Sequence, residues 1–116
     1  MAIFKRTLTR FDIERRLTIP RNCVEAFPAV EEKQPVEIKV KDEIGHVWTF
    51  RLSLQSVINP RLVFCSGWLA FVSSKHLQVG DTIIFHSEVD QDTDAPYKIE
   101  VRKNHNSQWY ASMLAC

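Results

Sequence analysis

Between Phe11 and Asn22 the chain reads FDIERRLTIPRN, with Arg15 and Arg16 ahead of a short apolar run and Arg21 just beyond Pro20. Arginines at this density either lie solvated on a surface or meet an anion with a planar fork of donors. With Lys5, Arg6 and Arg10 they make six basic groups in residues 1–21 against Asp12 and Glu14, a local charge of +4 in a chain of net charge +1. The remainder carries −3, with four acids in Glu88–Asp94, so one side of the molecule is basic and another acidic. A basic edge of this kind is what phosphate binding needs. Arginine can also read guanine by donating to O6 and N7 together, worth ~1–3 kcal/mol against a wrong base.

Other chemistries are less well supplied. In the stretch EIK, Glu37 and Lys39 share a strand face, the kind of pair a metal-dependent nuclease uses with an upstream aspartate, for which Asp12 is the candidate. The same two residues fit the solvent face of a half-buried strand. Asp90, Asp92 and Asp94 alternate as in calcium loops but lack the central glycine and closing glutamate, so a solvated connection is expected there, away from any DNA contact. His46, His76, His86 and His105 have no partner at zinc or nucleophile spacing. Trp48, Trp68, Phe50, Phe71 and Phe85 could stack on single strands, but their spacing places them in a core. Cys23, Cys65 and Cys116 are odd in number and lie 42 and 51 residues apart, which suggests reduced thiols rather than a disulfide framework or a metal site. No cofactor, metal or small-molecule substrate is expected.

The elements that would position these residues are mostly strands. A chain of 116 residues has the size of one domain. In PVEIKVKDEIGHVWTFRLSL, Val36, Ile38 and Val40 share one face, and Trp48, Phe50 and Leu52 continue it after a turn at Asp42–Gly45, so the stretch reads as a hairpin with one buried side. Further strands are expected at Ile3–Leu8, Leu17–Ile19, Leu62–Cys65, Thr82–Ser87 and Tyr97–Arg102. Two short helices break the rhythm: one between Pro20 and Pro28, and one capped by Ser66 with Trp68, Phe71 and Val72 on its apolar stripe. Seven short strands favour a closed or curled sheet, with the helices plugging its ends. No stretch approaches a membrane span, and the first 20 residues lack a signal peptide's apolar core, so a soluble, unexported protein is expected.

The ordered set R-L-x-I-P, G-x-x-W-x-F-R, G-W-x-x-F-V and L-x-x-G-D-x-I-x-F, in IFKRTLTRFDI…RRLTIPRN, VEIKVKDEIGHVWTFRL and SGWLAFVSSKHLQVGDTIIF, resembles the plant B3 DNA-binding domain over roughly Ile3 to Lys103. Within the family the sequence looks closer to the divergent, meristem-associated branch than to the seed or auxin-response branches. The resemblance implies a mostly β, seven-stranded open pseudobarrel with two short α-helices, similar also to the effector domain of some restriction endonucleases. It implies that two arms grip the major groove of double-stranded DNA: residues 10–18, and residues 52–66.

Carried over by position, Arg15, Arg16 and Arg61 match basic places in the two arms and are expected to approach bases, while the charge of the basic edge leads to the expectation that Lys5, Arg10 and Arg21 hold phosphate. Ser66 matches a small hydroxyl residue able to touch backbone or base. Asn59, which could pair with adenine, and Ser56 lie in the second arm, whose stretch LSLQSVINPRL carries one formal charge where many relatives place two or more basic residues. The expected function is sequence-specific DNA binding by a plant transcriptional regulator in the nucleus, without catalysis, as a monomer in isolation with protein partners possible. The alternatives are a protein-interaction module with little or no DNA affinity and, further off, a nuclease-related domain. Residues 1–103 are expected to form the barrel, and residues 104–116 a tail that packs on it through Trp109, Tyr110, Met113 and Leu114 or is flexible.

Overall fold

A computed structural model describes residues 2–31, 33–55, 58–87 and 95–104. The expected strands form, as β1 (Ala2–Thr7), β2 (Leu17–Thr18), β3 (Val36–Lys41), β4 (Val47–Gln55), β5 (Arg61–Ser66), β6 (Thr82–Ser87) and β7 (Tyr97–Arg102). They make one sheet in the order β1-β6-β7-β3-β4-β5-β2, antiparallel except where β3 runs parallel to β7, and the sheet curls into an open half-barrel.

The β3–β4 hairpin pairs Val36 with Leu52 and Val40 with Trp48, so the apolar alternation of both strands falls on the same inner face. Its turn is organised by Asp42. One carboxylate oxygen accepts the N–H groups of Ile44 (3.1 Å) and His46 (2.8 Å), and the other accepts Trp48 Nε1 (2.9 Å) and Lys75 Nζ (2.9 Å). Burial pushes the Asp42 pKa up, but donation from Lys75, Trp48 and His46 outweighs it and holds the group at about 2.

The core is aromatic. Phe50, Phe64, Trp68, Phe71 and Phe85 are fully buried, and Trp68 packs 6.0 Å from Phe50 and 5.8 Å from Phe71 between ring centres. These rings are therefore core and not a stacking platform for bases. Phe27 closes another side of the barrel against Phe4, Phe64, Phe85 and Tyr97, while the Tyr97 hydroxyl donates to the Ala26 carbonyl at 3.0 Å. The preceding segment Arg21–Ala26 is a 3-10 helix with no buried residue, so the plug is supplied by the residue after it.

Two helix expectations need correction. The helix α2 (Trp68–Ser74) buries Trp68, Phe71 and Val72 as expected, but its N-cap is Gly67 and not Ser66, which ends β5 exposed. Gly67 has φ of +85°, and a Cβ there would lie 2.0 Å from the Thr49 carbonyl oxygen, so the close approach of β5 to β4 at this corner excludes any side chain. Secondly, a further helix, α1 (Arg10–Glu14), stands within residues 10–18, where the sequence predicts an arm but no helix. Thr9 and Asp12 form a capping box, with the Asp12 N–H donating to the Thr9 hydroxyl and the Thr9 N–H to the Asp12 carboxylate.

Cys23 is half-buried with its thiol 3.3 Å from the Ile3 carbonyl, and Cys65 is exposed; both are free. The acidic run Glu88–Asp94, Cys116 and the tail residues Trp109, Tyr110, Met113 and Leu114 lie outside the described residues. Asn104 is held to the barrel by its N–H, which donates to Asp81 at 2.8 Å.

Candidate nucleic-acid interface

The first arm is built by a buried carboxylate. Asp12 accepts Nε and Nη2 of Arg6, each at 2.9 Å, and the Thr9 N–H at 2.9 Å, while its backbone carbonyl accepts Trp68 Nε1 at 2.7 Å. A single residue thus ties α1 to β1, to its own cap and to the core tryptophan of α2. Arg15 forms the C-cap of α1, donating its N–H to the Phe11 carbonyl at 2.9 Å, and Arg16 follows with its guanidinium 5.8 Å from the centre of the Phe11 ring. The chain then enters β2, where Leu17 pairs with Phe64 and Thr18 with Val63, so the first arm ends hydrogen-bonded to the strand that carries the second.

The second arm is the long β4–β5 hairpin. Gln55 pairs with Arg61 near its tip, while Arg51 pairs with Ser66 at its base. Ile58, Asn59 and Pro60 are exposed at the tip. Ser56 lies outside the described residues. The side chain of Arg21, just past the first arm, donates to the Asn59 carboxamide oxygen and so joins the two arms across their tips.

Between the arms runs a groove of about 410 Å³ lined by Arg6, Thr9, Phe11, Thr18, Ile19, Pro20, Arg21 and Arg61. Of the candidate residues, the structure brings Arg21 and Arg61 into this groove, with Asn59 beside Arg21. Arg15 and Arg16 are exposed at the end of α1 next to Phe11, on the groove's margin rather than in its lining. Arg10 is exposed and pairs with Glu14 at 3.4 Å. Lys5 alternates with Phe4 and Arg6 along β1 and faces the outer surface. Ser66 lies five residues along β5 from Arg61, which at about 3.4 Å per residue puts it far from the tip. Among the described residues, Arg15, Arg16, Arg21 and Arg61 make no ion pair, whereas Arg6 is matched by Asp12 and Arg10 by Glu14.

Five groove residues are not site candidates from the sequence: Thr9, Phe11, Thr18, Ile19 and Pro20. Arg6 was counted as part of the basic edge but not given a place in the groove. The signal for the first arm was present as the T-x-x-D of TRFD, a capping box that predicts the α1 start and with it the direction of Phe11.

The nuclease constellation does not assemble. Glu37 pairs with Arg51 at 3.3 Å, Lys39 donates to the Thr49 hydroxyl at 2.6 Å, and Asp12 is buried in its pair with Arg6. No group of three or more metal-ligating side chains is present among the described residues.

Comparison with known proteins follows the same lines. The B3 domain-containing transcription repressor VAL1 of Arabidopsis thaliana is 35% identical over 93 residues, covering 78% of this chain and 12% of that protein, so the chain spans about an eighth of that relative's length. Auxin response factor 16 of the same plant is 36% identical over 88 residues, covering 71% of this chain and 13% of the relative. The solved Arabidopsis FUS3–DNA complex superposes with a TM-score of 0.74 at 31% identity, covering 89% of this chain and 98% of that one. The Arabidopsis thaliana LEC2–DNA complex shares the fold at a TM-score of 0.69 and 19% identity, covering 92% of this chain and 95% of that one. With residues 4–105 matching the profile of the B3 DNA binding domain, the chain belongs to the B3 DNA-binding domain family.

Proposed function

We propose that this domain binds double-stranded DNA by setting both arms, residues 10–18 and 52–66, into the major groove, as the DNA-reading part of a plant transcriptional regulator acting in the nucleus and without catalysing a reaction. The observation that carries the reading is the groove itself, where Arg21 and Arg61, far apart in sequence, share one concave surface flanked by Arg15 and Arg16. These four guanidinium groups have no acidic partner among the described residues, so an incoming phosphate or base edge displaces no ion pair. In this reading Arg61 and Arg16 contact bases and Arg21 a phosphate. Arg15 is a base contact if the duplex reaches the C-terminal end of α1. Lys5 and Ser66 do not take part, because neither faces the groove. Residues 1–103 act as the binding unit.

Fluorescence anisotropy with duplexes selected from a random library tests the reading. About four phosphate contacts give a log–log slope against salt near −3.6. Arg15→Ala with Arg16→Ala should weaken binding and flatten that slope. Flat anisotropy at low salt sinks the proposal and favours the protein-interaction alternative.

A further inference from the structure

We infer that the groove between the arms receives the 5-methyl group of a pyrimidine next to a guanine, and that Phe11 selects it; this rests on the DNA-binding reading above. The lining is of two kinds. Arg21 and Arg61 supply donors, with Arg6 beside them paired to Asp12, whereas Phe11 and Pro20, with Ile19 beneath them, supply an apolar surface. Phe11 is half-exposed, unusual for an aromatic in a molecule that buries most of its rings, and it lies on a helix fixed by the Asp12 capping box rather than on a free loop.

A phosphate does not suit such a surface, since an apolar wall strips its water and returns no hydrogen bond. A base edge does suit it. In the major groove guanine shows two acceptors to arginine, and thymine alone among the unmodified bases shows an apolar group, its 5-methyl. Methylated cytosine shows the same group at the same carbon. The ring of Phe11 is also under the Arg16 guanidinium, so one side chain both holds a donor and offers a contact for the methyl. Loss of Phe11 should therefore remove methyl selection, while loss of Arg16 should not.

The test uses a duplex selected by the full chain, with each thymine replaced in turn by deoxyuridine, and anisotropy read for the wild type, Phe11→Ala and Arg16→Ala. At one position the wild type should bind the uracil duplex about fourfold more weakly, the value of one methyl-sized group removed from water. Cytosine placed at that position should bind about fourfold better once methylated at carbon 5. In Phe11→Ala both ratios should fall to one, and in Arg16→Ala they should persist on a lower overall affinity. Circular dichroism of Phe11→Ala checks that α1 and the barrel remain folded, and Phe11→Leu, which keeps an apolar contact, should restore the ratios in part. Equal wild-type binding of thymine and uracil at every position overturns the inference while leaving DNA binding intact, and ratios unchanged in Phe11→Ala overturn the role of Phe11. Absence of binding to any duplex overturns the DNA reading itself.

Discussion

Replacing Asp12 by alanine should loosen the first arm more than any change at the arginines it carries. The carboxylate is 1% exposed and takes three donors, two from Arg6 and one from the Thr9 N–H. Removing one partner of a buried pair typically costs about 3–5 kcal/mol. Here Arg6 remains about a third exposed, at 32%, and water can reclaim part of its charge, which lowers the figure to roughly 2–3 kcal/mol. Losing one half of the capping box adds about 0.5–1 kcal/mol. The sum, about 3 kcal/mol, corresponds to a fall in Tm of about 12 °C for a domain of this size. Urea unfolding followed by tryptophan fluorescence, to which buried Trp68 contributes, measures it. A double-mutant cycle with Arg6→Ala should return a coupling of at least about 1 kcal/mol, since the two residues share two hydrogen bonds. Asp12→Asn should behave almost as badly, because its amide nitrogen faces a donor. Additive effects in the cycle, or an alanine variant within about 0.5 kcal/mol of wild type, would refute the claim that this carboxylate organises the arm.

Three further outcomes are expected. Gly67→Ala should cost about 3 kcal/mol or more, because the new Cβ meets the Thr49 carbonyl at 2.0 Å from a left-handed backbone; thermal unfolding of a soluble, well-folded variant with wild-type Tm would contradict this. Asp42 has a folded pKa of about 2 against an ordinary 3.8, so the stability it contributes is present in full above 3.8 and is lost as pH falls towards 2. That loss amounts to about 2 kcal/mol, and denaturation curves between pH 5 and 2 should be flatter in Asp42→Asn than in wild type. Finally, Arg21→Ala and Arg61→Ala should each weaken duplex binding several-fold, whereas Lys5→Ala and Ser66→Ala should change it little; a Lys5 effect as large as Arg61's would show that DNA also contacts the outer face.

Much of the barrel was legible because its signals are short-range. Alternation of Val36, Ile38 and Val40 with Glu37 and Lys39 is enough to name a half-buried strand, and Asp42–Gly45 is enough to turn it back. The stripe of Trp68, Phe71 and Val72 likewise predicted α2. The cap of α2 was misread because a hydroxyl is the commoner N-cap, and only the approach of the Thr49 carbonyl shows why glycine is required at position 67. Helix α1 is not predicted from the sequence because its five residues carry too little periodicity to mark a helix.

What the sequence determined by itself is the number and order of strands, the apolar faces that make them curl, the family they belong to, and an excess of arginine near one end. Periodicity, turn residues and motif order contain that much, since each is a property of neighbours along the chain. Which arginines work together was decided only in three dimensions. Arg21 reaches Asn59 across 38 residues of sequence, Arg6 is claimed by Asp12, Arg10 is spent on Glu14, and Lys5 is turned outward by the pleat of β1. The formal charge of +4 over residues 1–21 is the same in any fold; only the β2–β5 ladder and the Asp12 anchor divide it into groups that face the groove, groups at its margin and groups that do not.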